Sequence, residues 1–126
     1  MGALVYEAMI PINPITKKNS QRIFRGKNGR PFVVPSQRYK NYEHDAGYFL
    51  KPLKEPIDYP VELSCKFFRA TRHRVDLSNL LEAIQDILVK YKILSDDNHK
   101  VIQSVDGSRV IVGDSTPRTE IKITKL

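Results

Sequence analysis

The chain has 126 residues and a formal net charge of +7, with 21 Lys and Arg against 14 Asp and Glu. This length suits one domain, residues 1–126, because it is too short for two independent hydrophobic cores. The single Cys65 excludes an internal disulfide, no apolar run reaches the roughly 18 residues of a membrane span, and the N-terminus lacks a secretory signal pattern. We therefore expect a cytoplasmic protein whose positive charge favours nucleic acid as its partner, ahead of an acidic protein or a membrane surface.

The first predicted element is a strand from Leu4 to Ile10, which ends at Pro11 because proline cannot donate to a sheet ladder. Asn28-Gly29 then predicts a hairpin that pairs Arg22–Phe24 with Pro31–Val34. Ser36 can cap a helix that runs to about Lys51.

A basic segment, residues 11–42, contains eight Lys and Arg and no acid. Such a segment can follow a sugar-phosphate backbone, or it can be a solvated loop that keeps the protein soluble, and charge alone does not favour either. The candidate DNA contacts in it are Lys17, Lys18, Arg22, Arg25, Lys27 and Arg30.

The second half of the chain predicts a half-buried strand and a strongly amphipathic helix. Apolar and polar residues alternate from Val61 to Phe67, which is the period of a strand. The helix, with Ser78 or Asn79 as its cap, has apolar residues at helical spacing. They are Leu77, Leu80, Leu81, Ile84, Ile87, Leu88 and Tyr91.

Three further strands are predicted at 101–105, 109–112 and 119–126. The order of elements indicates an α+β fold, a mixed β-sheet packed against two main helices.

Acidic residues flank the second predicted helix. Asp76 precedes it, and Asp96 and Asp97 follow it. A helix from Asn79 to Leu94 would be about 24 Å long, so Asp97 can meet Asp76 only if the helix ends early and the chain turns back. Carboxylates in such a pair would suit Mg²⁺, which is often held by one or two carboxylates and substrate phosphates.

Each acid also has an ordinary explanation. Asp76 can favour the positive end of the helix, and Asp96-Asp97-Asn98 can form a plain turn. Glu82 and Asp86 can face solvent, with Asp86 and Lys90 as an i, i+4 pair, and spacing alone favours this interpretation for both residues.

Several motifs of the chain are similar to those of a known family. They are Pro11-Ile12-Asn13-Pro14, Thr16-Lys17-Lys18-Asn19-Ser20, Asp76-Leu77-Ser78-Asn79-Leu80 and Asp96-Asp97. On these residues the chain resembles the RusA-type Holliday junction resolvases, crossover junction endodeoxyribonucleases that prophages often carry.

The resemblance implies a homodimer that binds four-way junction DNA and cuts two strands of like polarity with Mg²⁺, for which Mn²⁺ could substitute. It places catalytic aspartates at Asp76 and Asp97, with Asp96 beside the latter. The chain departs from the family pattern twice, with Ser78 where a second aspartate is expected and Glu82 where a lysine is expected. Our hypothesis is that Glu82, one helical turn beyond Ser78, replaces the lost ligand, which gives Asp76, Glu82, Asp96 and Asp97 as the metal set.

Further basic residues near the acids could stabilise charge on the scissile phosphate. They are Arg72, Arg74 and Lys100. Two alternatives to the nuclease stay open: a junction-binding protein whose catalysis is impaired by Ser78, and, less favoured, an RNA-binding module, for which the chain lacks an RRM-type aromatic motif.

Overall fold

The computed structural model of the protein describes residues 2–17, 21–25, 29 and 31–126. The candidate contacts Lys18, Lys27 and Arg30, and Asn28 of the predicted turn, lie outside these residues. The described elements, in chain order, are β1 (Leu4–Ile10), β2 (Gln21–Arg25), β3 (Pro31–Pro35), α1 (Gln37–Ala46), a 3-10 turn (Gly47–Phe49), β4 (Val61–Arg69), α2 (Leu77–Lys90), β5 (Ile102–Ser104), β6 (Arg109–Val112) and β7 (Arg118–Lys125).

The main sheet is mixed, as predicted. Its order is β1, β7, β4, β5, and β6 also pairs with β4, which makes five strands among the described residues. β7 runs antiparallel to both β1 and β4, whereas β5 and β6 run parallel to β4 at its two ends. The α+β prediction is confirmed.

One face of the sheet and the two helices share a single hydrophobic core. Val61, Leu63, Cys65 and Phe67 of β4 are all buried, so the alternation predicted for this strand is confirmed. They form one cluster with the apolar stripe of α2 and with Tyr39, Tyr42 and Ala46 of α1. Burial raises the pKa of the Cys65 thiol, since a thiolate would lose its hydration in the core.

The predicted basic hairpin is confirmed as a separate two-stranded sheet. β2 pairs antiparallel with β3, with Arg22 opposite Val34 and Phe24 opposite Phe32. Gly29 has a φ of 78°, a left-handed conformation that glycine adopts without steric cost.

The first helix is shorter than predicted. Ser36 is its cap and accepts a hydrogen bond from the Tyr39 amide at 3.2 Å, but α1 ends at Ala46 rather than near Lys51. The chain tightens into the 3-10 turn at Gly47. Any other residue at this position would place its Cβ 2.5 Å from the Tyr91 ring, which is too close. Glycine therefore lets the end of α2 pack closely against the end of α1, and the Tyr91 hydroxyl donates to the Glu43 carbonyl at 2.9 Å.

Both ends of the second helix differ from prediction. Asp76, not Ser78 or Asn79, is the N-cap residue, and the latter two lie in the first turn of α2. At the other end α2 stops at Lys90 because Lys92 adopts a φ of 60°. The Ile93 amide then donates to the Leu88 carbonyl at 2.9 Å and the Lys92 amide to the Val89 carbonyl at 3.0 Å, which is the Schellman arrangement.

The last three strands lie close to their predicted positions. β6 has the predicted bounds, β5 is shorter than 101–105, and β7 begins one residue earlier than 119 and ends at Lys125. Among the residues that the structure describes, none of the helices combines the length and apolar character that crossing a bilayer requires.

We predict that Lys92→Gly stabilises the protein. A left-handed conformation costs a non-glycine residue roughly 1–2 kcal/mol, part of which glycine returns through its freer unfolded chain, so the free energy of unfolding should rise by about 0.5–1 kcal/mol. Urea denaturation measures the change. The control, Gln85→Gly inside α2, should instead lower stability by about 1 kcal/mol, and a destabilising Lys92→Gly would contradict the prediction.

Candidate active site

Asp76 presents an exposed carboxylate at the N-terminus of α2. Its backbone is extended and its carbonyl accepts from the Asn79 and Leu80 amides, so the backbone starts the helix. Its side chain makes no capping bond to the helix and instead accepts from the Asn79 amide nitrogen Nδ2 at 3.3 Å. The carboxylate therefore still faces solvent, where it could bind a cation.

Asp96 holds the turn that follows α2. One of its carboxylate oxygens accepts from the Asp97 amide at 2.7 Å and the other from the Asn98 side chain at 3.1 Å. Asn98 in turn accepts from the Lys100 amide at 2.9 Å. Because Asp96 uses both oxygens within the turn, the exposed Asp97 is the better placed of the pair to act on a ligand.

The early end of α2 allows the chain to turn back, as the predicted site requires. Ile93 and Leu94 are buried, and the Ser95 amide donates to the Ile57 carbonyl at 2.9 Å. This return brings Asp97 close enough to α2 for its charge to act on Asp86. The convergence of Asp97 with Asp76 stays a prediction.

Asp86 is the most electrostatically perturbed acid of this region. Its partial burial raises the pKa of its carboxyl, the Lys17 ammonium at 3.8 Å lowers it, and the negative charges of Asp97, Glu82 and Glu43 raise it again. The net pKa lies above its ordinary value. We call Glu43, Glu82, Asp86 and Asp97 the acidic face.

The expected i, i+4 pair of Asp86 and Lys90 is wrong. Lys90 reaches across to Glu43 of α1 at 2.5 Å, and Asp86 pairs with Lys17. Lys17, a predicted DNA contact, therefore lies against α2, at the beginning of the basic segment. Arg22 and Arg25 lie on β2, and the structure describes only their backbone.

Tyr39 lies beneath the acidic face. Its side chain is buried, and its hydroxyl has no hydrogen-bond partner within the described part of the chain. Burial raises its pKa, and the charges of Glu43, Asp86 and Glu82 raise it further. Its helical spacing predicts that Tyr39 packs in the core, but no sequence pattern predicts that it lies next to the carboxylates.

The donor chemistry of the predicted metal set fits Mg²⁺, since Asp76, Glu82, Asp96 and Asp97 offer only hard carboxylate oxygens. Within residues 2–17, 21–25, 29 and 31–126, however, no group of three or more His, Cys, Asp or Glu is arranged to hold a metal ion. A cation here would therefore complete its ligand set with substrate phosphate and water, as Mg²⁺ often does.

Basic residues surround a cleft that the residue before Asp76 helps to line. Arg74 and Val75 line this cleft together with Arg38, Arg69 and His73, and Arg72 lies near Gly113 at the end of β6. Lys100 is exposed in the turn that follows Asp97. Arg38 and Arg69 were absent from the predicted DNA contacts, because only the fold brings α1 and the end of β4 together.

Comparison with known proteins identifies the family. A family model described as Endodeoxyribonuclease RusA matches residues 11–124 of the 126-residue chain. No curated protein matches the chain. The chain therefore belongs to the RusA family of endodeoxyribonucleases, which are hydrolases of phosphodiester bonds within DNA, and the resemblance on its motifs is confirmed.

We predict that Asp86→Asn becomes increasingly stabilising as the pH rises. Because the folded pKa of Asp86 is raised, its favourable contribution is complete below the unfolded value of about 4 and is lost as the pH rises through the folded pKa. Thermal unfolding of both proteins between about pH 4 and 7 measures the difference. Asp58→Asn, at an exposed position, is the control, and a difference that stays constant or reverses sign would contradict the prediction.

Proposed function

We propose that this nuclease resolves four-way DNA junctions in the cytoplasm during recombination and repair, by Mg²⁺-dependent hydrolysis of one phosphodiester in each of two strands. The observation that carries the proposal is the position of two exposed aspartates, Asp76 before α2 and Asp97 on the segment that turns back along it. Family membership supplies the reaction class.

Asp76 and Asp97 are the proposed metal ligands, with Glu82 in place of the ligand lost at Ser78. Asp96 positions Asp97 through the turn that it holds. Bound Mg²⁺, or Mn²⁺ in its place, would supply Lewis-acid polarisation of the scissile phosphate and activation of water. Arg72, Arg74 and Lys100 would stabilise the negative charge that develops on the phosphate.

Paired cuts require two active sites, so we propose that the protein acts as a homodimer with one site in each protomer. The net charge of +7 supports binding through phosphates, since each neutralised phosphate releases counterions. Lys17, Lys18, Arg22, Arg25, Lys27 and Arg30 are the proposed contacts to the junction arms. Recognition through phosphates selects the shape of the junction rather than its base sequence.

We predict that Asp97→Asn abolishes paired nicking of a labelled four-way junction. Removal of a group that stabilises charge in the transition state typically costs about 100-fold or more in rate. Wild type and variant are compared on the junction and on its matching linear duplex, with Mg²⁺ and with chelator. Asp58→Asn, an exposed aspartate on the loop before β4, should cut like wild type.

Two results of this experiment would contradict the proposal. Equal cutting of the linear duplex would show a nuclease without junction selectivity. Tight junction binding without nicks under any metal would favour the second candidate, a junction-binding protein with impaired catalysis. That candidate is supported by Ser78 and by the lack of a three-carboxylate group in the described part of the chain.

We predict that Glu82→Gln lowers Mg²⁺-dependent cleavage by about 10-fold or more, because it removes a carboxylate that compensates for Ser78. Adding Ser78→Asp to that variant should restore cleavage, since it returns a carboxylate one helical turn away. Single-turnover cleavage rates of the wild type and of both variants measure the effect. Unchanged cleavage by Glu82→Gln would show that Glu82 is not a ligand.

A further inference from the structure

A small cationic cleft lies beside the start of α2. It has a volume of about 190 Å³, and four separate parts of the chain form it: the segment before the hairpin, α1, the end of β4 and the loop that leads to α2. Among the described residues that line it, the charged groups are three arginines and none is acidic. The lining residues are Pro14, Ile15, Thr16, Arg38, Arg69, His73, Arg74 and Val75.

Arg69 lines the cleft with a guanidinium group that a hydrogen bond holds in place. Its Nη1 donates to the His73 carbonyl at 2.8 Å, which ties the end of β4 to the loop and fixes the guanidinium. Its Nε is buried and has no hydrogen-bond partner among the described residues. Because the bond to the His73 carbonyl orders the guanidinium before any ligand binds, binding of an anion costs less side-chain entropy.

The size and charge of the cleft select the ligand. Pockets for drug-sized molecules are usually about 300–1,000 Å³, so this cleft suits a single small group. Arginine side chains match the oxygens of phosphate with paired donors. A phosphodiester group fits both conditions.

The cleft lies next to Asp76 in the chain, and Asp76 is a proposed metal ligand of the cleavage reaction. Val75 lines the cleft, and the next residue is Asp76, whose Cα lies about 3.8 Å further along the chain. Asp76 itself is not part of the lining. A DNA strand that places its scissile phosphate at Asp76 could therefore place a neighbouring phosphate in the cleft.

We propose that Arg38, Arg69 and Arg74 form a positioning site for a DNA phosphodiester adjacent to the one that is cut. Arg74 is thereby assigned to this neighbouring phosphate, which leaves Arg72 and Lys100 for the scissile one. This inference rests on the proposed function, because it takes Asp76 as the metal-binding carboxylate. The site holds the cleaved strand so that its scissile bond lies at Asp76, and it adds Arg38 and Arg69 to the DNA-binding residues.

The test uses Arg38→Gln and Arg74→Gln, which leave the Arg69 bond to the His73 carbonyl intact. Arg109→Gln, an exposed arginine of β6 outside the cleft, is the matched control. Junction binding is measured in chelator over a range of salt concentrations. Each cleft variant should bind more weakly and lower the salt slope of log K by about 0.9, the value for one lost phosphate contact, while the control lowers neither.

A second measurement locates the phosphate. One neutral methylphosphonate is placed in turn at each phosphate that flanks the cut, and cleavage rates are compared. At one position it should slow the wild type by about 10-fold, and there it should have no further effect on Arg38→Gln or Arg74→Gln.

The outcomes separate this inference from the proposed function. Binding and salt slopes equal to wild type in both cleft variants, or an equal response to methylphosphonate at every position, would overturn the positioning site while cleavage stands. A wild type that binds the junction but never cuts it would overturn the proposed function, and the salt slopes alone would then decide whether the cleft binds phosphate.

Discussion

The left-handed turn at Lys92 determines where the acidic side chains of this protein lie. It stops α2 at Lys90, and the chain then buries Ile93 and Leu94 and bonds back to Ile57. Without that reversal a longer α2 would carry Asp97 away from the middle of the helix. The interaction is local, yet it brings Asp97 within electrostatic reach of Asp86.

Two groups of charge lie near α2. The acidic face lies along the helix and beside Tyr39, whereas Val75, the residue before the N-cap, lines the cationic cleft. Burial and, after it, repulsion between these carboxylates raise the pKa of Asp86. Lys17 and Lys90 offset part of that repulsion through their ion pairs with Asp86 and Glu43. A phosphate drawn to the cleft would approach the carboxylates from the side of the arginines.

Sequence periodicity predicted the strands and helices that have one regularly buried face. It did not predict the end of α2 or the contacts of Asp86 and Arg69. The alternation of β4 and the apolar stripe of α2 were sufficient to predict a strand and a helix, because each has one buried face. The end of α2 could not be predicted, since a lysine rather than a glycine occupies the left-handed position. Asp86 and Arg69 were missed for another reason. Their partners, Lys17 and the cleft residues, come from parts of the chain that only the tertiary fold brings together.

The spacing of Ser78, Glu82 and Asp86 explains how the departure from the family pattern could be accommodated. These residues follow one another at intervals of four, so they lie along one side of α2, with the carboxylates displaced by one turn from Ser78. Asp97 acts on Asp86, which is the carboxylate furthest along this row. The proposed ligand set would therefore keep Asp76 and Asp97 and gain Glu82 in place of the ligand lost at Ser78. The replacement requires a cation that lies one helical turn, about 5.4 Å, further along α2 than a ligand at Ser78 would hold it.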